Sequence, residues 1–524
     1  MELRKLSLPV ALAGAVALAG CSADTVLTPN ASAIGAPSAL VATTDDEGVA
    51  GNYLVRFKGN SIPADFAAKV AAMGGEVIFA HSGVGVAAVA GLDDASADQL
   101  AARQDVQAVD ADAYTVLEGA NDAQLDAAEV TFAEPASAAK PATAFFFPRQ
   151  WNMRAISAPA AWALPNGAGL GKSTTRVGIL DTGIDYLSPD LYGRVDLALS
   201  KSFLPKKQQD TVQKYFPGAH EIADLNFHGT HVAATVVSNG RAAAGVTSGI
   251  TLVGLKVCSP GTKPKYEGSC PTSGTLSAIL YAADHGLDVI NMSLGGGFTR
   301  RAASARGGDG PSFIATINRV MNYANRKGTL IVVAAGNSSW DLDHNIIPTS
   351  DTTDADGLVH VAGLYASYCD SPAVVCVSAT GPTKATTANG PYENIDAFAP
   401  YSNFGRSAIS VAAPGGGGDP VAKTNSYVYA VCTGFSINPG LAVCKSRFYN
   451  PRTGAWSSFV VGLQGTSMAA PHATGVAALI AGQVGHNPAQ IQARLQQTAD
   501  DLGEPGTDPA YGKGRVNLAR AAGL

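Results

Sequence analysis

The sequence predicts an α/β protein in which a domain with a mostly parallel central sheet, flanked by helices, follows a small ferredoxin-like α+β domain. Two observations carry this. Beyond Trp151, short uninterrupted apolar runs such as Val177-Gly178-Ile179-Leu180 alternate with helical segments, the texture of parallel strands buried on both faces. Before residue 118, strand-like and helix-like stretches follow one another in the order β-α-β-β-α-β within about 65 residues. The length of 524 residues leaves room for both units.

The first segment has the layout of an export signal, residues 1–20. Arg4 and Lys5 precede an apolar run from Leu6 to Ala19 that is short for a bilayer span. It ends Leu18-Ala19-Gly20-Cys21, which resembles a bacterial lipobox, with Cys21 as the lipidated residue. A precursor so processed touches a membrane only through that anchor. Residues 21–48, rich in Ala, Ser, Thr and Asp, read as a flexible tether.

The small domain follows at 49–117. Tyr53-Leu54-Val55-Arg56-Phe57 alternates as a strand does, 65–73 has helical spacing, Val77-Ile78-Phe79 and 84–89 read as strands, 95–103 as a second helix and 106–109 as a last strand. Residues 118–145 are acidic and Ala-rich at their start and read as a linker.

The large domain is expected over 146–524. Its strands are read at 177–180, 251–257, 289–292, 330–334 and 409–412, and its clearest helices at 228–237, 273–285, 314–326 and 467–481. The stretches 298–311, 338–380 and 415–462 read as enlarged loops. Seven cysteines, less Cys21, leave six, and in an exported chain these point to disulfides. Pairing neighbours, Cys258 with Cys270, Cys369 with Cys376 and Cys432 with Cys444, is the simplest of the connectivities available.

A net charge of -6 with no basic cluster argues against a nucleic-acid binder. Three motifs at element junctions carry chemistry instead. Leu180-Asp181-Thr182-Gly183 delivers an acid at the end of an apolar strand. His228-Gly229-Thr230-His231 opens a helix with an imidazole, and Gly465-Thr466-Ser467-Met468 places a hydroxyl at a helix start, where the backbone favours developing negative charge. A nucleophile, a base near neutral pKa and an anion to orient that base are what amide hydrolysis needs. Singly, each motif has a bland explanation: an Asp after a strand is commonly a turn residue. The pair His228/His231 lacks a third metal ligand, and the zincin-like start His220-Glu221 fails because its fifth residue is Asp224. An esterase of the α/β-hydrolase kind would show a G-x-S-x-G elbow and the opposite residue order.

Together with Ser293-Leu294-Gly295-Gly296 and Val333-Ala334-Ala335-Gly336-Asn337, these motifs resemble those of the subtilisin-like serine peptidases, from about Trp151 to the end of the chain. The resemblance implies a subtilisin-like three-layer fold and a secreted endopeptidase. Asp181 would orient, His228 act as general base and Ser467 as nucleophile, while Asn337 would donate to the oxyanion with the Ser467 N–H. Ser293, Leu294, Gly295 and Gly296 on one side and Ala334, Ala335 and Gly336 on the other would wall the cleft for protein or peptide substrates. Residues 51–117 resemble, more loosely, the family's inhibitory propeptide, a partner within the same chain, cut away between 117 and about 145. No cofactor is implied as required. Structural calcium is not supported by a clear motif, since Asp190 matches a ligand position without the other oxygens that cation needs.

Overall fold

The computed structural model describes residues 51–117, 126–132, 138–260, 268–299, 310–344, 346–353, 359–365, 368–417, 423–437, 444, 449–450 and 455–524. The expected export signal, the tether, Cys21 and parts of the 118–145 linker lie outside them.

The small domain runs β1 (Tyr53–Phe57), α1 (Phe66–Ala72), β2 (Glu76–His81), β3 (Val86–Ala90), α2 (Asp94–Ala101), β4 (Val106–Ala111). Its four strands form an antiparallel sheet in the order β2-β3-β1-β4, the ferredoxin-like arrangement. Because side chains alternate across a strand, β1 serves two cores at once. Tyr53, Val55 and Phe57 pack on Phe66, Val70 and Leu100 from the domain's own helices. Leu54, with Val86 and Ala88 of β3, belongs instead to a cluster shared with the large domain. Just past this sheet lie β5 (Tyr114–Leu117) and β6 (Asp126–Phe132).

The large domain opens with short helices α3 (Trp151–Ala155) and α4 (Ala158–Trp162). Then come β7 (Arg176–Asp181), β8 (Lys201–Ser202), α5 (Lys206–Tyr215), α6 (His228–Val236), β9 (Thr251–Lys256), β10 (Gly268–Pro271), α7 (Thr272–Asp284) and β11 (Val289–Met292). After β12 (Phe298–Thr299) follow α8 (Pro311–Lys327), β13 (Leu330–Ala334), β14 (Ile346–Thr353), β15 (Val359–Tyr365) and β16 (Val374–Thr380). The hairpin β17 (Lys384–Ala385) and β18 (Tyr392–Glu393) precedes β19 (Val411–Pro414), β20 (Val428–Val431), β21 (Tyr449–Asn450) and β22 (Ala455–Leu463). The chain closes with α9 (Thr466–Val484), α10 (Pro488–Gln497) and α11 (Leu518–Ala521).

Seven strands form one parallel sheet in the order β19-β16-β13-β11-β7-β9-β8. Alternation again divides its faces. Val177, Ile179, Leu330 and Val332 face α6 and α9, whereas Leu180, Ile290, Ile331 and Val333 face α7 and α8. The small sheet packs on the outer side of α7 and α8. The layers therefore run α6/α9, large sheet, α7/α8, small sheet, α1/α2.

Two of the stretches read as loops carry core structure. Within 338–380, β16 is buried throughout and pairs with both β13 and β19. Within 415–462, β20 pairs with β22, which leads into α9. The physical reason is tertiary: Val374, Val375 and Val377 form a buried strand because β13 and β19 flank them in the folded sheet. The linker, too, is not without structure, since β6 pairs antiparallel with β22 from Asp126↔Gly462 to Phe132↔Trp456. Disulfides join Cys258 to Cys270, Cys369 to Cys376 and Cys432 to Cys444.

Candidate active site

Asp181 ends β7, and its neighbour strands β9 and β11 end level with it, so the side chain emerges in the crevice at the carboxyl edge of the parallel sheet. It is fully buried. Its carboxylate accepts a hydrogen bond from the Thr182 N–H at 2.7 Å and lies 2.9 and 3.0 Å from Nδ1 of His228. A carboxylate only accepts, so Nδ1 carries the hydrogen and Nε2 is the basic nitrogen of the neutral ring.

His228 starts α6, whose first turn is held by a buried acid that sequence reasoning passed over. Asp224 accepts from the Thr230 N–H and hydroxyl at 2.9 and 2.6 Å, from the Asn226 N–H at 3.0 Å and from the Thr182 hydroxyl at 2.9 Å. Asn226 in turn accepts from the His228 N–H, and Thr182 Oγ1 from the Gly229 N–H. One carboxylate thus fixes the residue after Asp181 and the turn that carries His228. Burial pushes its pKa up, and burial likewise pushes the nearby Lys256 ammonium down to about 8. Lys256 donates to the Ala223 carbonyl at 2.7 Å. The signal available in the sequence was an Asp shortly before a helix start, a common capping pattern.

Ser467 lies in the first turn of α9, after Gly465 with φ 146°, where backbone of that shape favours glycine. Its hydroxyl donates to the Ser293 carbonyl at 3.2 Å, and the Ser293 hydroxyl donates back to the Ser467 carbonyl at 2.7 Å. Helix α9 packs against α6, which brings the serine and histidine elements together. Asn337 follows β13. Its Oδ1 accepts from the Thr466 N–H at 2.8 Å and the Thr466 hydroxyl at 2.9 Å, and the amide lies against the Gly465 bend, Nδ2 and Oδ1 standing 3.4 and 3.6 Å from where a Cβ would be.

The segments 293–296 and 334–336 approach each other closely: a Cβ on Gly295 would lie 3.9 Å from the Gly336 Cα. Gly336, at φ 100°, leaves no room for a side chain, because a Cβ would meet Asn403 Nδ2 at 2.5 Å. Asn403, unlike Asp224, carries no signal in the sequence. Its Nδ2 donates to the Ala335 carbonyl and its Oδ1 accepts from the Ser338 and Trp340 N–H groups, clamping the loop that carries Asn337.

His231 and His472 are structural neighbours. Burial pushes His231 down to about 3 and His472 down to about 4, so both are neutral. His472 bridges Asn152 and the Met468 carbonyl, and His231 contacts the Val428 carbonyl. Asp190 is fully buried and held by hydrogen bonds. Its carboxylate accepts from the Ser238 hydroxyl and from the N–H groups of Arg241 and Ala242. Among the described residues no group of three His, Cys, Asp or Glu side chains is arranged to hold a metal.

The small domain also joins the large one through the chain that follows β4. β5 pairs antiparallel with β10, Tyr114↔Pro271 to Leu117↔Gly268. Asp112 accepts from the Ser273 N–H at the start of α7, the Ala113 carbonyl accepts from the Thr272 N–H, and Asp110 accepts from the Ser312 hydroxyl at the start of α8. Arg319 of α8 donates to the Phe57 and Gly59 carbonyls.

Comparison with known proteins follows this geometry. The sequence profile described as Subtilase family matches residues 172–514. Thermitase of Thermoactinomyces vulgaris is 28% identical over 387 residues, covering 72% of this chain and 97% of thermitase. Subtilisin DY of Bacillus licheniformis is 29% identical over 353 residues, covering 67% of this chain and 91% of that protein. Among solved structures, the epidermin leader peptide processing serine protease of Staphylococcus aureus has a TM-score of 0.60 at 21% identity, over 90% of this chain and 97% of that one. Fervidolysin of Fervidobacterium pennivorans has a TM-score of 0.58 at 22% identity, over 92% of this chain and 62% of that one. These two likenesses speak to the fold alone.

Proposed function

Since this chain belongs to the subtilase family and is a serine endopeptidase, we propose that it cuts protein substrates through Asp181, His228 and Ser467 and is matured by removing its own small domain. His228 takes the Ser467 proton as the hydroxyl oxygen attacks the peptide carbonyl. Asp181 holds the ring and favours the imidazolium. The oxyanion is met by the Asn337 amide and the Ser467 N–H; collapse expels the amine, which takes its proton from His228, and leaves an acyl-enzyme that water hydrolyses by the same steps. No cofactor enters this chemistry.

The observation that carries the reading is the contact of His228 Nδ1 with the buried Asp181 carboxylate, on an element packed against the helix of Ser467. The β5–β10 ladder supports the small domain as an inhibitor within the chain, its tail lying as an extended peptide would. Self-cleavage is placed between 117 and about 145. We further place the enzyme outside the cytoplasm, released from a precursor that Cys21 holds to a membrane by lipid. Residues 293–296 and 334–336 are assigned as the cleft walls.

The test is intact-mass and N-terminal analysis of the purified product beside its Ser467→Ala form, with a fluorophosphonate label. A processed, Ser467-labelled product and an uncut variant are expected. Normal trimming of the purified variant would sink self-cleavage, and label elsewhere would sink the assignment of the nucleophile.

A further inference from the structure

β10 stands apart from the seven-stranded sheet. Among the described residues its ladder partner is β5. It is also held by the Ser259 N–H, which donates to the Ser269 carbonyl at 2.9 Å, by α7 starting directly after it, and by the bond from Cys270 to Cys258. Both cysteines are fully buried. Cys258 lies one hydrogen bond from the proposed triad: its N–H and that of Val257 donate to the Asp181 carbonyl at 3.2 and 3.0 Å. A line of strong connections therefore runs from the backbone of Asp181, through Cys258 and Cys270, into the strand that bears the tail of the small domain.

We infer that the Cys258–Cys270 disulfide is a positioning clamp that keeps β10 set for an extended peptide after β5 has left. The inference rests on the proposed function above and takes the β5–β10 ladder as the mark of where an extended substrate lies. An edge strand outside the main sheet has conformational freedom that a ligand must remove on binding, and a cross-link to the rigid end of β7 removes it beforehand. Affinity for long peptides then depends on the disulfide, while bond-breaking at Ser467 does not. Loss of a cross-link that served global stability alone would lower the unfolding midpoint and leave substrate-length dependence untouched.

The experiment uses matured enzyme from a Cys258→Ala/Cys270→Ala precursor, with active sites counted by fluorophosphonate. It is assayed on a single-residue ester and on peptides lengthened stepwise toward their amino end. Wild type is expected to gain kcat/KM with length. In the variant, KM for the longest peptide should rise about tenfold, with kcat and ester turnover within about twofold of wild type. Equal losses on ester and long peptide overturn the clamp, and so does an unchanged KM. If the variant fails to accumulate, mature wild type is reduced in graded steps while thiol alkylation is mapped by mass. KM for the long peptide must then climb with the opened fraction of Cys258–Cys270; climbing with either other disulfide, or not at all, overturns the inference. A wild type that gains nothing from longer peptides removes the premise about β10 itself, a result distinct from a clamp that proves idle.

Discussion

Asp224 makes no contact with the reaction in the proposed mechanism, yet Thr182, Asn226 and Thr230 all donate to it, and the elements of Asp181 and His228 meet there. Replacing it with Ala strands those donors and leaves Lys256 without its nearest buried acid. Asp224→Ala should lower the unfolding free energy by about 3 kcal/mol, read by denaturant titration of the inactive precursor Ser467→Ala. A loss within measurement error would show that water replaces the carboxylate. Asn337 has the opposite profile: Asn337→Ala should lower kcat by on the order of 10²–10³ with little change in KM, since its amide is asked to act on charge that develops during the reaction. A rise in KM at constant kcat would move it from oxyanion donor to substrate contact.

The contacts of Asp112 with the start of α7 and of Asp110 with the start of α8 make pH a variable in the proposed maturation. Burial pushes the Asp112 carboxyl up to about 6 from the ordinary 3.8, and Asp110 shifts the same way for the same cause. Oδ2 of Asp112 is buried without a hydrogen-bond partner, whereas Oδ1 accepts from the Ser273 and Ala113 N–H groups. A group whose pKa is higher in the docked state favours docking when protonated. That contribution is complete below about 4 and lost as pH rises through about 6. After self-cleavage, release of the small domain should therefore quicken between about pH 4 and 6, and Asp112→Asn should flatten most of that slope. Native mass measurement of the cleaved complex across this range checks it; a release that quickens on acidification instead would refute the assignment. At this scale the sequence was legible where local pattern and burial agree, as in β7, β11 and β13, whose apolar runs have no competing explanation. It was not legible for β16, or for β6 and β22, because which strand pairs with which depends on partners distant in the chain. The triad positions could be read because function confines them to recognisable motifs, whereas Asp224 and Asn403 work through contacts that only folding creates.

At the level of the whole molecule, the small domain covers the outer side of α7 and α8 with apolar side chains rather than touching it through polar groups alone. Leu54, Val84, Val86 and Ala88 share one apolar cluster with Leu276, Leu280, Phe313 and Ile317. A chain lacking residues 51–117 should accumulate few active sites, counted by fluorophosphonate, and supplying those residues as a separate chain should restore them in part. Full yield from the shortened chain would limit the small domain to inhibition. If maturation removes the small domain as proposed, the free enzyme has a history it cannot repeat. Once α7 and α8 lose the carboxylates at their amino ends and the sheet that covered their outer side, the surroundings in which they formed no longer exist. Durability of the mature enzyme would then be a half-life, governed by how rarely the structure opens, and a sample that has melted should stay inactive when cooled.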